Sequence, residues 1–102
     1  MSKTSKLERT FQAKLIKTIK DRFPGSYVLK NDPNYIQGIP DLTILLPNGR
    51  WATLEDKRSE DAPRQPNQEY YVDDMDRKSF SRFIFPENAE EVLNELEQTY
   101  KL

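Results

Sequence analysis

Gly38-Ile39-Pro40-Asp41 is followed, fourteen residues after the aspartate, by Glu55-Asp56-Lys57. Two acids and a lysine carried on paired strands can assemble a site for metal-assisted hydrolysis. Hard Mg²⁺ prefers carboxylate oxygens, binds through one or two of them plus a substrate phosphate, and keeps several waters, so Asp41 and Glu55 suffice as side-chain ligands. Lys57 beside them would orient or help deprotonate the attacking water and offset the charge that builds in the transition state. The chain has no Cys and no His. That removes Cys/His zinc sites, Ser-His-Asp and Cys-His nucleophile systems and histidine general bases. Carboxylate-plus-lysine chemistry remains, and it points to a nuclease.

Whether the acids meet depends on register. Asp41-Leu42-Thr43-Ile44-Leu45-Leu46 and Trp51-Ala52-Thr53-Leu54-Glu55-Asp56-Lys57 are strand-like runs on either side of Pro47-Asn48-Gly49-Arg50, so they read as a hairpin. A two-residue Asn48-Gly49 turn would set Leu42 opposite Glu55 and Asp41 opposite Asp56, mixing polar with apolar on both faces. A three-residue loop, with Gly49 in the left-handed position of a type I turn plus bulge, sets Asp41 opposite Glu55, Leu42 opposite Leu54 and Ile44 opposite Ala52. This register makes one face apolar. The other carries Asp41, Thr43, Leu45, Trp51, Thr53, Glu55 and Lys57, so the candidate ligands and the lysine converge at one end of the hairpin, on a polar face outside the core. The plainer reading is a hairpin with solvent-facing acids balanced by a lysine, since short motifs often match by chance. The register argument favours the chemical one.

At these residues the chain resembles the PD-(D/E)XK nuclease superfamily, and within it the small, stand-alone phage-type VRR-NUC domains. The resemblance runs from an amphipathic first helix with Glu8, through Gly38-Ile39-Pro40-Asp41 and Glu55-Asp56-Lys57, to Gln68 on a following helix and a last strand and helix. It implies that Asp41 and Glu55 hold a Mg²⁺ ion, for which Mn²⁺ can substitute, that Asp56 offers its backbone carbonyl, and that Lys57 serves the water. It also nominates Glu8 as a further metal ligand and Gln68 as a supporting residue. Asp56 departs from the pattern, because similar proteins usually carry an apolar residue there. The departure suggests either a less buried strand or a further charge near the metal.

Composition sets the outer bounds. A chain of 102 residues, 35% hydrophobic and 32% charged, reads as one domain with a modest core and little surface left for a separate recognition module. No apolar stretch approaches the roughly 20 residues that cross a bilayer, and the Lys-rich start lacks the apolar core of a signal peptide. The expectation is therefore a cytoplasmic protein, in the host cell if phage-encoded, with no membrane partner and no organic cofactor. The net charge of −1 is unevenly spread: residues 1 to 30 carry eight Lys and Arg against Glu8 and Asp21, a surplus of six positive charges, leaving −7 for the rest. On a helix beginning near Ser5, Leu7, Phe11, Leu15, Ile16 and Ile19 form an apolar stripe, with Lys6, Arg9, Lys17 and Lys20 largely off it. Those four residues, with Arg58 and Arg64, are candidate DNA contacts that would bind phosphate without regard to sequence. A solvated helix face is the alternative meaning of the lysines.

Other candidates have structural readings of their own. Ser5-Lys6-Leu7-Glu8 is a capping box, which explains Glu8 without a metal. Gln68 follows Pro66, where a helix is expected to start, and could bond phosphate, bond a ligand carboxylate or face water. Asp73, Asp74 and Asp76 lack the EF-hand pattern and read as a solvated face. Residues 31 to 38 form a polar loop leading into the site. Residues 58 to 65 have no apolar pattern and are expected to be a mobile loop at its edge. Strands are expected at 26–30 and 80–85, and helices at 66–76 and after an Asn88 cap, with Ala89, Val92, Leu93, Leu96 and Tyr100 inward. The order α-β-β-β-α-β-α gives a mixed α/β fold with a central sheet flanked by helices, agreeing with the restriction-endonuclease-like core that the resemblance implies. The function expected is Mg²⁺-dependent DNA endonuclease activity. The resemblance adds homodimers acting on branched DNA such as four-way junctions. A sequence-directed homing or restriction-type enzyme, or a non-catalytic DNA-binding accessory protein, are the alternatives.

Overall fold

The computed structural model describes residues 6–102. The elements are α1 (Lys6–Arg22), β1 (Tyr27–Lys30), β2 (Leu42–Leu45), β3 (Trp51–Asp56), α2 (Gln68–Lys78), β4 (Ser81–Ile84) and α3 (Ala89–Tyr100). Their order is the one expected. The four strands lie in the order β1-β2-β3-β4, antiparallel except for the parallel pair β3/β4. The parallel pair exists because α2 crosses over between its strands, as a parallel connection requires.

Leu15 and Ile19 put one stripe of α1 into the core, continued by Phe23 just past its end, with Phe11 and Ile16 partly buried beside it. Leu7, expected in that stripe, is 71% exposed. The helix stops where Pro24 cannot continue it and Gly25 takes φ 93°. The Ser5 half of the expected capping box lies outside the described residues. On the sheet, Leu42, Ile44, Ala52, Leu54 and Ile84 meet α1 and the Val92, Leu93 and Leu96 face of α3. Asn88 does not cap α3 with its side chain. It reaches backwards, accepting from the Phe85 amide at 2.8 Å and donating to the Phe83 carbonyl at 3.1 Å.

The hairpin adopts the three-residue loop. The Leu46 amide donates to the Arg50 carbonyl at 2.8 Å and the Gly49 amide to the Leu46 carbonyl at 3.1 Å, with Gly49 at φ 83°. Leu42 pairs with Leu54 and Ile44 with Ala52, as expected, and Asp41 lies one residue before β2 at the Glu55 end of the ladder. The polar face, however, is not open. α2 lies against β3 and β4, with Thr53 Oγ1 bonded to Ser81 Oγ and touching Met75 Sδ, so that Thr53, Glu55 and Lys57 are 3%, 2% and 7% exposed. The helix covers half of this face. Over β1 and β2 it remains bare, at Tyr27, Leu29 and Leu45.

Gly38 ties the loop before Asp41 to the start of α2. At φ 89°, a Cβ on Gly38 would sit 2.6 Å from Asn67 Cβ and 2.7 Å from the Pro66 carbonyl oxygen. Both neighbours belong to the turn that launches Gln68. Gly38→Ala is therefore expected to cost about 1–3 kcal/mol through the left-handed backbone and the clash together, lowering the melting temperature by about 4–8 °C per kcal/mol. Unchanged melting would show that the loop and α2 are not clamped at this point.

Candidate active site

Asp41, Glu55, Lys57, Glu8, Gln12 and Gln68 all line one cavity of about 780 Å³. Each arrives from a different local cause. Asp41 ends the clamped loop, Glu55 and Lys57 alternate along β3 and its extension, Gln68 opens α2, and Glu8 and Gln12 lie four apart on one face of α1.

The bonds among them form one network. Asp41 Oδ2 accepts from the Asp56 amide at 2.8 Å. Lys57 Nζ donates to Gln68 Oε1 at 2.7 Å and to the Pro63 carbonyl at 3.1 Å, and lies 3.9 Å from Glu55 Oε2. Gln68 Nε2 donates to Glu55 Oε2 at 3.1 Å, while its Oε1 also accepts from the Gln65 amide at 2.7 Å. Gln68 therefore holds the lysine with one end of its amide and the glutamate with the other. The sequence left Gln68 open between a ligand contact and water; burial of the β3 face brings it onto both. The 58–65 segment is fastened rather than loose, since Ala62 is buried and Pro63 holds Lys57.

The electrostatics are strained in one direction. Burial, then the nearby Asp41 charge, pushes Glu55 well above the usual carboxylate range. Burial raises Asp41 as well, against opposing bonds from Glu55 and the Asp56 amide. Glu8 is raised by burial and by Asp41. Asp56 is pushed up to about 7, by burial and then Asp41, with the Gln12 bond opposing. With one proton between them, Asp41 and Glu55 hydrogen-bond each other. With both ionised neither can donate, and Glu55 Oε1 is buried without a partner.

That arrangement fits a divalent cation. Two adjacent carboxylates that repel each other, one with an orphaned buried oxygen, are stabilised in the ionised form by a positive ion between them. Among the described residues no three acidic side chains converge as a complete metal cage. A carboxylate pair suits an ion that keeps several waters. Asp41 and Glu55 would hold it, with Glu8 across the cavity and the main chain of Asp56 between Glu55 and Lys57. Asp56 is only 1% exposed, so its acidity adds a buried charge and does not mark an open strand edge.

The raised groups set a pH dependence. A carboxyl raised in the folded state contributes stability that is fully present below its unfolded value, 3.8 for Asp56 and 4.5 for Glu55, and is lost as pH rises through the folded one. For Asp56 that loss runs up to about pH 7. In EDTA the protein is expected to be less stable at pH 8 than at pH 5 by about 2 kcal/mol or more, and Mg²⁺ at pH 8 is expected to restore part of the difference. Thermal melting across that range, with and without Mg²⁺, checks this; a melting temperature that rises with pH in EDTA would contradict the assigned electrostatics.

The basic residues divide. Arg58 is exposed and lines the cavity, whereas Lys6, Arg9, Lys17 and Lys20 are exposed along α1 and do not. Lys17 pairs with Asp21 at 3.1 Å. Arg64 pairs with Glu69 at 3.2 Å and lies 3.8 Å from the centre of the Phe83 ring. Among the lining residues, sequence reasoning singled out neither Gln12 nor Lys30, and gave Asn31 only as the start of the polar loop. Gln12 was findable, four residues after Glu8. Asn31 was not, because its amide is set by tertiary bonds to the Pro40 carbonyl and Thr43 Oγ1, both at 2.8 Å.

No family model and no curated protein matches the chain. Among solved structures it is similar to one described as a VRR_NUC domain, at 21% identity and a TM-score of 0.64, over 88% of this chain and 97% of that one. The likeness establishes the fold, a mixed four-stranded sheet flanked by helices, and it is the fold that the sequence resemblance implied.

Proposed function

We propose that this chain is a divalent-metal-dependent endonuclease that hydrolyses phosphodiester bonds in DNA. The observation that carries the reading is the Glu55–Gln68–Lys57 network beside Asp41, a lysine and two carboxylates fixed in one open cavity. Burying a lysine and a glutamate costs free energy, and fastening both to one glutamine at a cavity wall is an arrangement suited to chemistry more than to stability. The TM-score likeness to a VRR_NUC domain supports the same reading.

The residues divide the work. Asp41 and Glu55 would hold Mg²⁺, or Mn²⁺ in its place; the ion would supply charge neutralisation at the phosphate and a more acidic bound water. Lys57, held by Gln68 and Pro63, would use its remaining N–H to orient the attacking water. It also offsets charge on the phosphoryl oxygens as the P–O3′ bond breaks, leaving a 5′-phosphate. Gln68 keeps Lys57 and Glu55 in one geometry. Arg58 and Lys30, which line the cavity, would contact phosphates, while the α1 cations would add salt-sensitive affinity further out.

A compact core suits recognition of DNA shape, and the proposed substrate is branched DNA cut by a homodimer. The bare patch of Tyr27 and Leu29 on edge strand β1 and Leu45 on its neighbour β2 supports a second copy as its cover, because an antiparallel edge can pair with itself about a twofold axis. The test is cleavage of end-labelled four-way junction, flap, single-stranded and linear duplex DNA. Paired, symmetric nicks in the junction are the expected result. Discrete cuts at one site in linear duplex would replace this reading with a sequence-directed enzyme, and no cleavage in any substrate would leave a DNA-binding accessory protein.

A further inference from the structure

Asp56 is the acid that the metal and lysine chemistry leaves without a side-chain role. It alternates with Glu55 and Lys57, so its carboxyl points to the α1 side of the sheet, away from both. There it is almost completely buried, and its Oδ2 accepts from Gln12 Nε2 at 2.7 Å. Burying an acid at this depth, beside Asp41, is costly. A hydrophobic residue of similar size would fill the same place without that cost. What the acid adds is direction. A carboxylate only accepts, so it must face the NH2 end of the Gln12 amide, and this decides which way the amide points. Among the described residues Gln12 Oε1 has no hydrogen-bond partner, and it is not among the buried unsatisfied atoms. It is therefore accessible, on a residue that lines the cavity with Glu8 and Asp41.

We propose that Asp56 is a positioning residue that fixes the Gln12 amide so that Gln12 Oε1 faces the cavity, as a neutral oxygen acceptor for a hydrated divalent cation on the helix side of Asp41. A neutral oxygen is the useful donor at this point. Asp41 already raises Glu55 and Glu8, and a further carboxylate in the cavity would add repulsion, whereas an amide oxygen adds a ligand or water acceptor without charge. Asp56 supplies its own charge one layer behind, where it acts on the amide. This inference rests on the cation reading of the site.

The test is Mn²⁺ binding to the full chain without DNA, by isothermal titration at pH 8, for wild type, Gln12→Ala, Asp56→Leu, Asp56→Asn and the Gln12→Ala/Asp56→Leu double variant. Gln12→Ala and Asp56→Leu are each expected to weaken Mn²⁺ about tenfold. The double variant should be no weaker than either, since both remove one unit. Asparagine at 56 offers a carbonyl to the same N–H groups and should recover most of the loss. Wild-type affinity in Gln12→Ala, or an Asp56→Asn variant as weak as Asp56→Leu, would overturn the proposal. If melting in EDTA shows Asp56→Leu unfolded, Gln12→Ala and Asp56→Asn decide. No Mn²⁺ binding by wild type would instead sink the proposed function itself.

Discussion

Lys57→Met is expected to lower single-turnover DNA cleavage by about 10²–10³-fold, the size of effect seen when one preorganised transition-state donor is removed, while DNA binding persists. Lys57 is the buried cation beside Glu55, and its other two contacts, Gln68 Oε1 and the Pro63 carbonyl, aim it at the cavity. Methionine approximates the length and volume of the lysine stem, so α2 keeps its packing. Alanine is the less informative choice, because at 7% exposure it would leave a void where the lysine stem packs. A lysine on a polar face outside the core would tolerate alanine without loss of fold; burial under α2 removes that expectation. Melting temperature and DNA affinity, measured beside the rate, separate lost chemistry from lost structure. A folded Lys57→Met variant that cuts at the wild-type rate would remove the lysine from the mechanism.

Asp41→Asn is expected to bring cleavage down to the uncatalysed background and to raise the melting temperature in EDTA. The two effects have one source. Asparagine keeps an oxygen for the Asp56 amide but loses the charge that raises Glu55, Asp56 and Glu8. The apo protein is relieved of repulsion, and the cation loses one of its two carboxylates. A variant stabilised without metal and silenced with it shows an acidic cluster held under tension for function. The stabilising contribution should be largest at pH 8 and smallest near pH 4, where the carboxyls are protonated in either protein. A destabilised Asp41→Asn would mean that Asp41 is a structural acid.

The sequence carried the hairpin because turn chemistry and side-chain alternation pointed to one register: Gly49 needed the left-handed position, and only that loop gave an apolar face. It carried the element order because the apolar spacing changes period cleanly at Pro24-Gly25 and Asn88. It did not carry the burial of the second face. Nothing in Thr53, Glu55 and Lys57 announces a covering helix, and the sparse apolar content of α2, with only Val72 buried, conceals one. The same gap kept Gln68 ambiguous and made residues 58 to 65 look loose. Leu7 was misread for the opposite reason: its helical spacing continues the stripe, but in the first turn of α1 it stays exposed. Asn88 shows a further limit, since a good capping residue spends its side chain on the preceding strand when that strand's end is in reach. The Asp56–Gln12 bond joins residues 44 apart in sequence, and neither residue alone suggests the other.

The central claim, that Asp41, Glu55 and Lys57 make a metal-dependent hydrolytic site, is tested most directly by incubating labelled branched DNA with the wild-type protein across a Mg²⁺ titration and in EDTA. Cleavage that rises with Mg²⁺, stops in EDTA and leaves 5′-phosphate ends is the expected result. Strand cutting undiminished in EDTA, or DNA bound but left intact at every Mg²⁺ concentration, would contradict it.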